Sequence, residues 1–153
     1  MGKIVVMGCG NLLLKDEGFG VHVARELQKM KLPENVKVLD CGTGGLAILD
    51  MLREADRTII VDAMKLGLKP GTVKIFDMKD LPAPSAFPSS AHELDLVAAL
   101  RVGEELQSLP DEVTVIGAEV KKADEFGADL SEELRKSKDE VIKTILNMLS
   151  AAK

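Results

Sequence analysis

The sequence predicts an α/β fold around a mostly parallel, five-stranded mixed sheet, and three observations predict it. Short apolar runs at Ile4–Met7, Val36–Leu39, Arg57–Val61 and Val113–Ile116 alternate with stretches of helical period, the signature of right-handed crossovers between parallel strands. The first three runs empty into glycine or aspartate, as strands do at the carboxyl edge of such a sheet. Between Ala63 and Pro70 the chain is too short for a helical crossover, yet Thr72–Phe76 reads as a strand. That strand is therefore expected to run antiparallel and make the sheet mixed.

In chain order, the opening stretch Lys3–Gly20 reads KIVVMGCGNLLLKDEGFG. A buried strand breaks at Gly8-Cys9-Gly10-Asn11, and two carboxylates, Asp16 and Glu17, stand just ahead of an amphipathic helix. Both acids have a structural reading: Asp16 as a helix N-cap, and Glu17 as a first-turn charge favoured by the helix dipole. They also have a chemical one, because other polar groups arrive at the same edge later. Val21, Val23, Ala24, Leu27 and Met30 form the apolar face of the first helix, which ends before Pro33. His22 lies at the boundary of that face, as a surface residue.

Val36–Leu39 ends in the glycine-rich turn Asp40-Cys41-Gly42-Thr43-Gly44-Gly45, either a tight strand-to-helix turn or a place where backbone amides meet a ligand. A helix over about Leu46–Glu54 leads to the third strand, expected to end at Asp62. If the first strand lies between the second and third, Glu17 and Asp62 flank the crevice where the connections diverge. After Thr72–Phe76, a loop bearing Pro82, Pro84 and Pro88 closes on Ser89-Ser90-Ala91-His92-Glu93. A loop of that length in a compact domain is usually functional or mobile. His92 opens a helix carried by Leu94, Leu96, Val97, Leu100 and Val102. The positive end of a helix disfavours an imidazolium and leaves a lone pair for a metal, although a capping histidine would look the same. The fifth strand is followed by a charged loop, Lys121–Glu125, read as solvated surface. A terminal helix follows a capping signature at Ser131, with Val141, Ile142, Ile145, Leu146 and Leu149 facing the core.

With 153 residues, 46% of them hydrophobic, the chain reads as a single domain over residues 1–153. A net charge of -5 with scattered lysines and arginines gives no footprint for nucleic acid. With Trp and Tyr absent, stacking platforms for bases are missing too. No long apolar run and no leader pattern are present, so a cytoplasmic protein without a membrane partner is expected. The two cysteines, Cys9 and Cys41, match no metal-finger spacing and are expected as free thiols near strand ends.

Glu17, Asp62 and His92 together offer two carboxylates and an imidazole, a set suited to a borderline divalent ion such as Zn, Ni, Mn or Fe with open positions left for an outside ligand. Rival chemistries fare worse. The sequence lacks G-x-S-x-G and H-E-x-x-H, and Leu13 stands where a dinucleotide fingerprint needs its third glycine.

Four motifs in register, Gly8-x-Gly10-Asn11-x-Leu13-x-x-Asp16-Glu17-Gly18-x-Gly20, Asp40-x-Gly42-Thr43-x-Gly45, Ile60-Val61-Asp62-Ala63 and Ser90-Ala91-His92-Glu93, resemble those of the hydrogenase maturation proteases. The resemblance covers nearly the whole chain and, in style, is nearest to members serving coenzyme F420-reducing hydrogenases. It implies a three-layer α/β/α fold with a twisted sheet and a cytoplasmic endopeptidase. Such an enzyme removes the carboxy-terminal extension from the precursor of the [NiFe] hydrogenase large subunit after nickel delivery. It further implies that nickel, carried by the precursor and replaceable in vitro by zinc or cadmium, meets Glu17, Asp62 and His92. Asp40 falls on the acid of the glycine-rich turn, near the site, and joins Glu17 and Asp62 as a candidate catalytic carboxylate. Asp16 is assigned to capping and Asn11 to a turn. Gly117-Ala118-Glu119-Val120 departs from the Gly-x-x-Pro step of many relatives. The rival expectation is a chaperone that reads the metal and binds the precursor without cutting it.

Overall fold

The computed structural model describes residues 2–43, 45–82 and 91–151, and for 91–95 the backbone alone. Its elements, in order, are β1 (Ile4–Cys9), a single 3-10 turn at Lys15–Gly18, α1 (Phe19–Gln28), β2 (Val36–Gly42), α2 (Ala47–Met51), β3 (Arg57–Met64), β4 (Val73–Phe76), α3 (Ala91–Glu105), β5 (Glu112–Glu119) and α4 (Glu132–Ala151). The five strands form one sheet in the order β2-β1-β3-β5-β4. All pairs are parallel except β4 with β5, as the short Ala63–Pro70 connection requires.

The strands are apolar in continuous runs because both faces are covered. Alternation along β1 sends Ile4 and Val6 to one core, with Val23 and Leu27 of α1 and Leu134, Val141 and Ile145 of α4. Val5, Met7 and Cys9 enter the other core, with Ile48 and Leu52 near α2 and Leu96 and Leu100 of α3. The result is three layers: α1 and α4, the sheet, and α2 with α3.

Four strands outrun their sequence-based ends, β5 among them, running on from Ile116 to Glu119. β1 continues to Cys9, β2 to Gly42, and β3 passes through Asp62 to Met64, because β5 runs on opposite it and pairs Asp62, Ala63 and Met64 with Gly117, Ala118 and Glu119. Asp62 is thus held inside a ladder and does not hang from a strand end. α2 is the shortest α-helix described, and Leu46 lies outside it.

β1 lies between β2 and β3. The crossover from β1 to β2 runs over the α1 face, and that from β2 to β3 over the α2 face. Connections that diverge to opposite faces leave a crevice at the carboxyl edge. Two glycines allow α1 to sit close over it. A Cβ on Gly20 would overlap the carbonyl oxygens of Val61 and Cys9, and one on Gly8 would overlap that of Gly20.

Candidate active site at the carboxyl edge of the sheet

Between β1 and α1 the chain folds back on itself. Gly10, at φ +137, brings the backbone close to Glu17, whose carbonyl accepts the Asn11 N–H at 3.1 Å. Asn11 accepts the Leu13 N–H on its side-chain oxygen at 2.9 Å, the Asx turn expected of it. Glu17 follows in the 3-10 turn and is buried. That turn packs against β3.

Asp62 is half-buried on β3. Period-two alternation places its side chain on the face of Ile60 and Met64, which belong to the core shared with α3. His92 stands in the first turn of α3; its side chain lies outside the described residues. The far end of α3 sits beside Leu109 near the amino edge of β5. Fifteen helical residues span about 22 Å, so the first turn is directed to the opposite, carboxyl edge. Among the described residues no group of three or more His, Cys, Asp and Glu is placed to hold a metal ion. Glu17 and Asp62 share that edge.

Asp40 stands on the other side of β1, on the α1 face. Arg25 of α1 reaches it, Nε to Oδ2 at 3.3 Å, and Oδ1 accepts the Gly42 N–H at 3.1 Å. A cavity of about 310 Å³ lies against this pair, lined by Gly10, Asn11, Leu12, Val21, Arg25, Asp40, Gly42 and Thr43. Clefts of about 650 and 590 Å³ occupy the amino edge, around Asp111–Thr114 and Lys3–Ile4. They contain none of the candidate residues.

Asp16 departs from its expected role. The N-cap of α1 is Gly18, with no side-chain cap bond. Asp16 is instead fully buried. Oδ2 accepts the backbone N–H groups of Lys121 and Lys122 at 2.9 and 2.8 Å and the Ser131 hydroxyl at 2.8 Å, while Oδ1 accepts the Ser131 N–H at 2.7 Å. One carboxylate therefore fastens the segment between β5 and α4 to the segment that carries Glu17. The Lys121–Glu125 run, read as solvated surface, is pinned at its start by Asp16 and at its end by Glu125, which meets Lys15 at 2.9 Å. Its Ala123 is buried.

Sequence reasoning also missed Glu119. It is buried and accepts the N–H groups of Leu66 and Leu68 at 2.7 and 3.0 Å, holding the connection from β3 to β4. Only the apolar company of Glu119 at the end of β5 hinted at this. His22 keeps its boundary position, with Nε2 at 3.0 Å from the Ala128 carbonyl, and burial lowers its pKa. The Cys9 thiol is raised well above its ordinary pKa by its hydrogen bond with Cys41, then by burial, with the charges of Asp62 and Asp40 adding to it.

A family model described as hydrogenase maturation protease matches residues 21–148. A protein of Methanocaldococcus jannaschii, provisionally named a hydrogenase maturation protease, is 40% identical over 94% of each chain. The hydrogenase expression/formation protein HupD of Rhizobium leguminosarum is 33% identical over 96% of this chain and 74% of its own. Among solved structures, the hydrogenase maturating endopeptidase HybD from Escherichia coli superposes with a TM-score of 0.87 at 29% identity, covering 98% of this chain and 93% of its own. A [NiFe] hydrogenase maturation protease HybD from Thermococcus kodakarensis gives 0.72 at 26% identity, over 96% and 99%.

Proposed function

This chain belongs to the hydrogenase maturation protease family, and from that premise we propose that it removes the carboxy-terminal extension of a [NiFe] hydrogenase large-subunit precursor once nickel has been inserted. The nickel arrives with the substrate. Glu17, Asp62 and His92 are its contacts on the protease, two carboxylates and an imidazole that suit a borderline divalent ion. The observation that carries the reading is the packing of the Glu17 turn against β3 while Asp62 turns to the face covered by α3, whose first turn bears His92.

Such an arrangement reads the ion before it cuts. A precursor without nickel gives the three ligands nothing to hold, and its scissile bond is not positioned; positioning alone is worth several kcal/mol of barrier. Attack on the peptide carbonyl needs polarisation and a proton acceptor. Glu17 and Asp62 supply charge at the ion. Asp40, oriented by Arg25 beside the 310 Å³ cavity, is a carboxylate able to take a proton from water at the neighbouring peptide bond. The work is done in the cytoplasm; among the described residues no helix is long and apolar enough to cross a membrane.

The test is to incubate the purified protein with nickel-loaded and nickel-free precursor and follow large-subunit mass. A loss of mass only with nickel is expected, abolished by Glu17→Gln, which keeps the shape of the side chain and removes an anionic ligand. Equal cleavage of nickel-free precursor would end the nickel-reading assignment. Stable binding without any change in mass would make the protein a metal-reading chaperone. Zinc or cadmium soaked into crystals should locate the ion beside Glu17 and Asp62.

A further inference from the structure

Cys9 and Cys41 take no part in the chemistry proposed above, yet they meet directly beneath it. Cys9 ends β1, and Cys41 lies within β2, its parallel neighbour. The pairing runs Gly8 with Asp40 and then Cys9 with Gly42, so Cys41 is the additional residue of a bulge. Both side chains enter the core under α2 and α3. Their sulfurs approach to 2.6 Å, and the Cys41 thiol also points at the Gly8 carbonyl at 3.3 Å. A covalent S–S bond would need them only roughly half an ångström nearer. Neither cysteine is bonded to another, and the chain holds no third one.

Access is restricted. Both residues are buried, at 4% and 7% exposure, so a bulky oxidant is shut out. The cavity of about 310 Å³ ends on Gly10, Asp40 and Gly42, the residues that adjoin the pair in sequence. Among the described residues, a side chain at Gly42 would meet no atom within 4 Å. That cavity lies on the α1 face, across the sheet from the two sulfurs, so the small exposure left at the cysteines themselves is open to nothing larger than a peroxide.

We propose that Cys9 and Cys41 form a redox dithiol that a small peroxide converts to an intrachain disulfide, tying the end of β2 to β1 under the carboxyl-edge crevice. The reaction balances with the peroxide as the named oxidant. The Cys41 sulfur, as the thiolate, attacks a peroxide oxygen while Cys9 keeps its proton; the O–O bond breaks, and hydroxide leaves with the proton that Cys41 has given up, as water. The sulfenic acid so formed is attacked by the second sulfur, its S–O bond breaks, and the departing oxygen takes the second thiol proton as another water. Two thiols and one hydrogen peroxide give one disulfide and two waters.

Intact mass and thiol alkylation in denaturant, on the reduced full-length protein treated with hydrogen peroxide, test this without any hydrogenase precursor, so the outcome is independent of the protease assignment. The expected product is lighter by two hydrogens, has no alkylatable thiol, yields a Cys9–Cys41 cross-linked peptide on digestion, and regains both thiols in dithiothreitol. Cys9→Ser and Cys41→Ser should each keep a single thiol that gains oxygen and never shows the two-hydrogen loss. Wild-type protein that retains both thiols, or that gains oxygen separately on each sulfur, would overturn the proposal. So would disulfides found only between chains.

Discussion

Replacing Asp16 by asparagine keeps the size of the side chain and changes one atom's ability to accept. The amide oxygen can take the place of Oδ2, which serves Lys121, Lys122 and the Ser131 hydroxyl. The amide nitrogen then stands where Oδ1 accepts the Ser131 N–H at 2.7 Å, and two donors face one another. The change loses a hydrogen bond to a charged acceptor and leaves a buried N–H unsatisfied, each worth roughly 1 to 3 kcal/mol. We expect Asp16→Asn to destabilise by about 3 kcal/mol. With a urea dependence of about 2 kcal/mol per molar for a chain of this size, the midpoint should fall by about 1.5 M at unchanged slope. Asp16→Ala removes all four acceptances and should approach the whole stability of a domain, of order 5 to 15 kcal/mol, so little folded protein is expected from it. If the asparagine variant unfolds within about 0.3 M of the wild type, the staple does not bear on stability and the role assigned to Asp16 is wrong.

Gly20→Ala should cost about 3 kcal/mol or more, the upper end for overpacking, because its methyl group would overlap two backbone carbonyls that cannot yield as a side chain would; loss of soluble expression or a large fall in thermal midpoint checks this. Burial lowers the His22 pKa, so the unfolded chain binds the proton first. Stability should be intact above about pH 6.5, the unperturbed value, and decline as pH falls through the lowered folded value; a wild-type-minus-His22→Gln difference in denaturation that is flat from pH 7.5 to 5 would contradict it. Glu119→Gln should weaken the protein by about 1 to 2 kcal/mol, since an amide oxygen still reaches Leu66 and Leu68 but without charge; urea midpoints report it. Phe126→Ala, at a residue 87% exposed, should leave stability within about 0.5 kcal/mol, and a larger loss on denaturation would mean that the ring packs where the structure shows solvent.

Most of the architecture was legible in local pattern. Apolar runs at Ile4, Val36, Arg57 and Val113 name the strands, and a connection too short for a helix foretells the antiparallel partner of β5. The condition that β1 lie between β2 and β3, on which the placing of Glu17 and Asp62 at one crevice depends, is met by the strand order. What local pattern could not give is partnership over long separations. Asp16 reads as a cap because caps are local, whereas its donors lie more than a hundred residues away. Arg25 gives no sign in sequence that it will hold Asp40, since that contact exists only after α1 has crossed from β1 to β2. Strand ends were placed short for the same reason: Asp62 looks terminal until Gly117 arrives opposite it.

The sheet has two borders, and one of them is β4. A border strand displays unpaired amides and carbonyls to any extended chain that comes near, which is how folded proteins are recruited into fibrils. Here the invitation is only four residues long, and Lys74 is exposed in its middle. A visiting segment would gain only a few ladder bonds while crowding that ammonium group, although Ile75 beside it is exposed as well, so the short reversed strand offers lateral stacking little to build on.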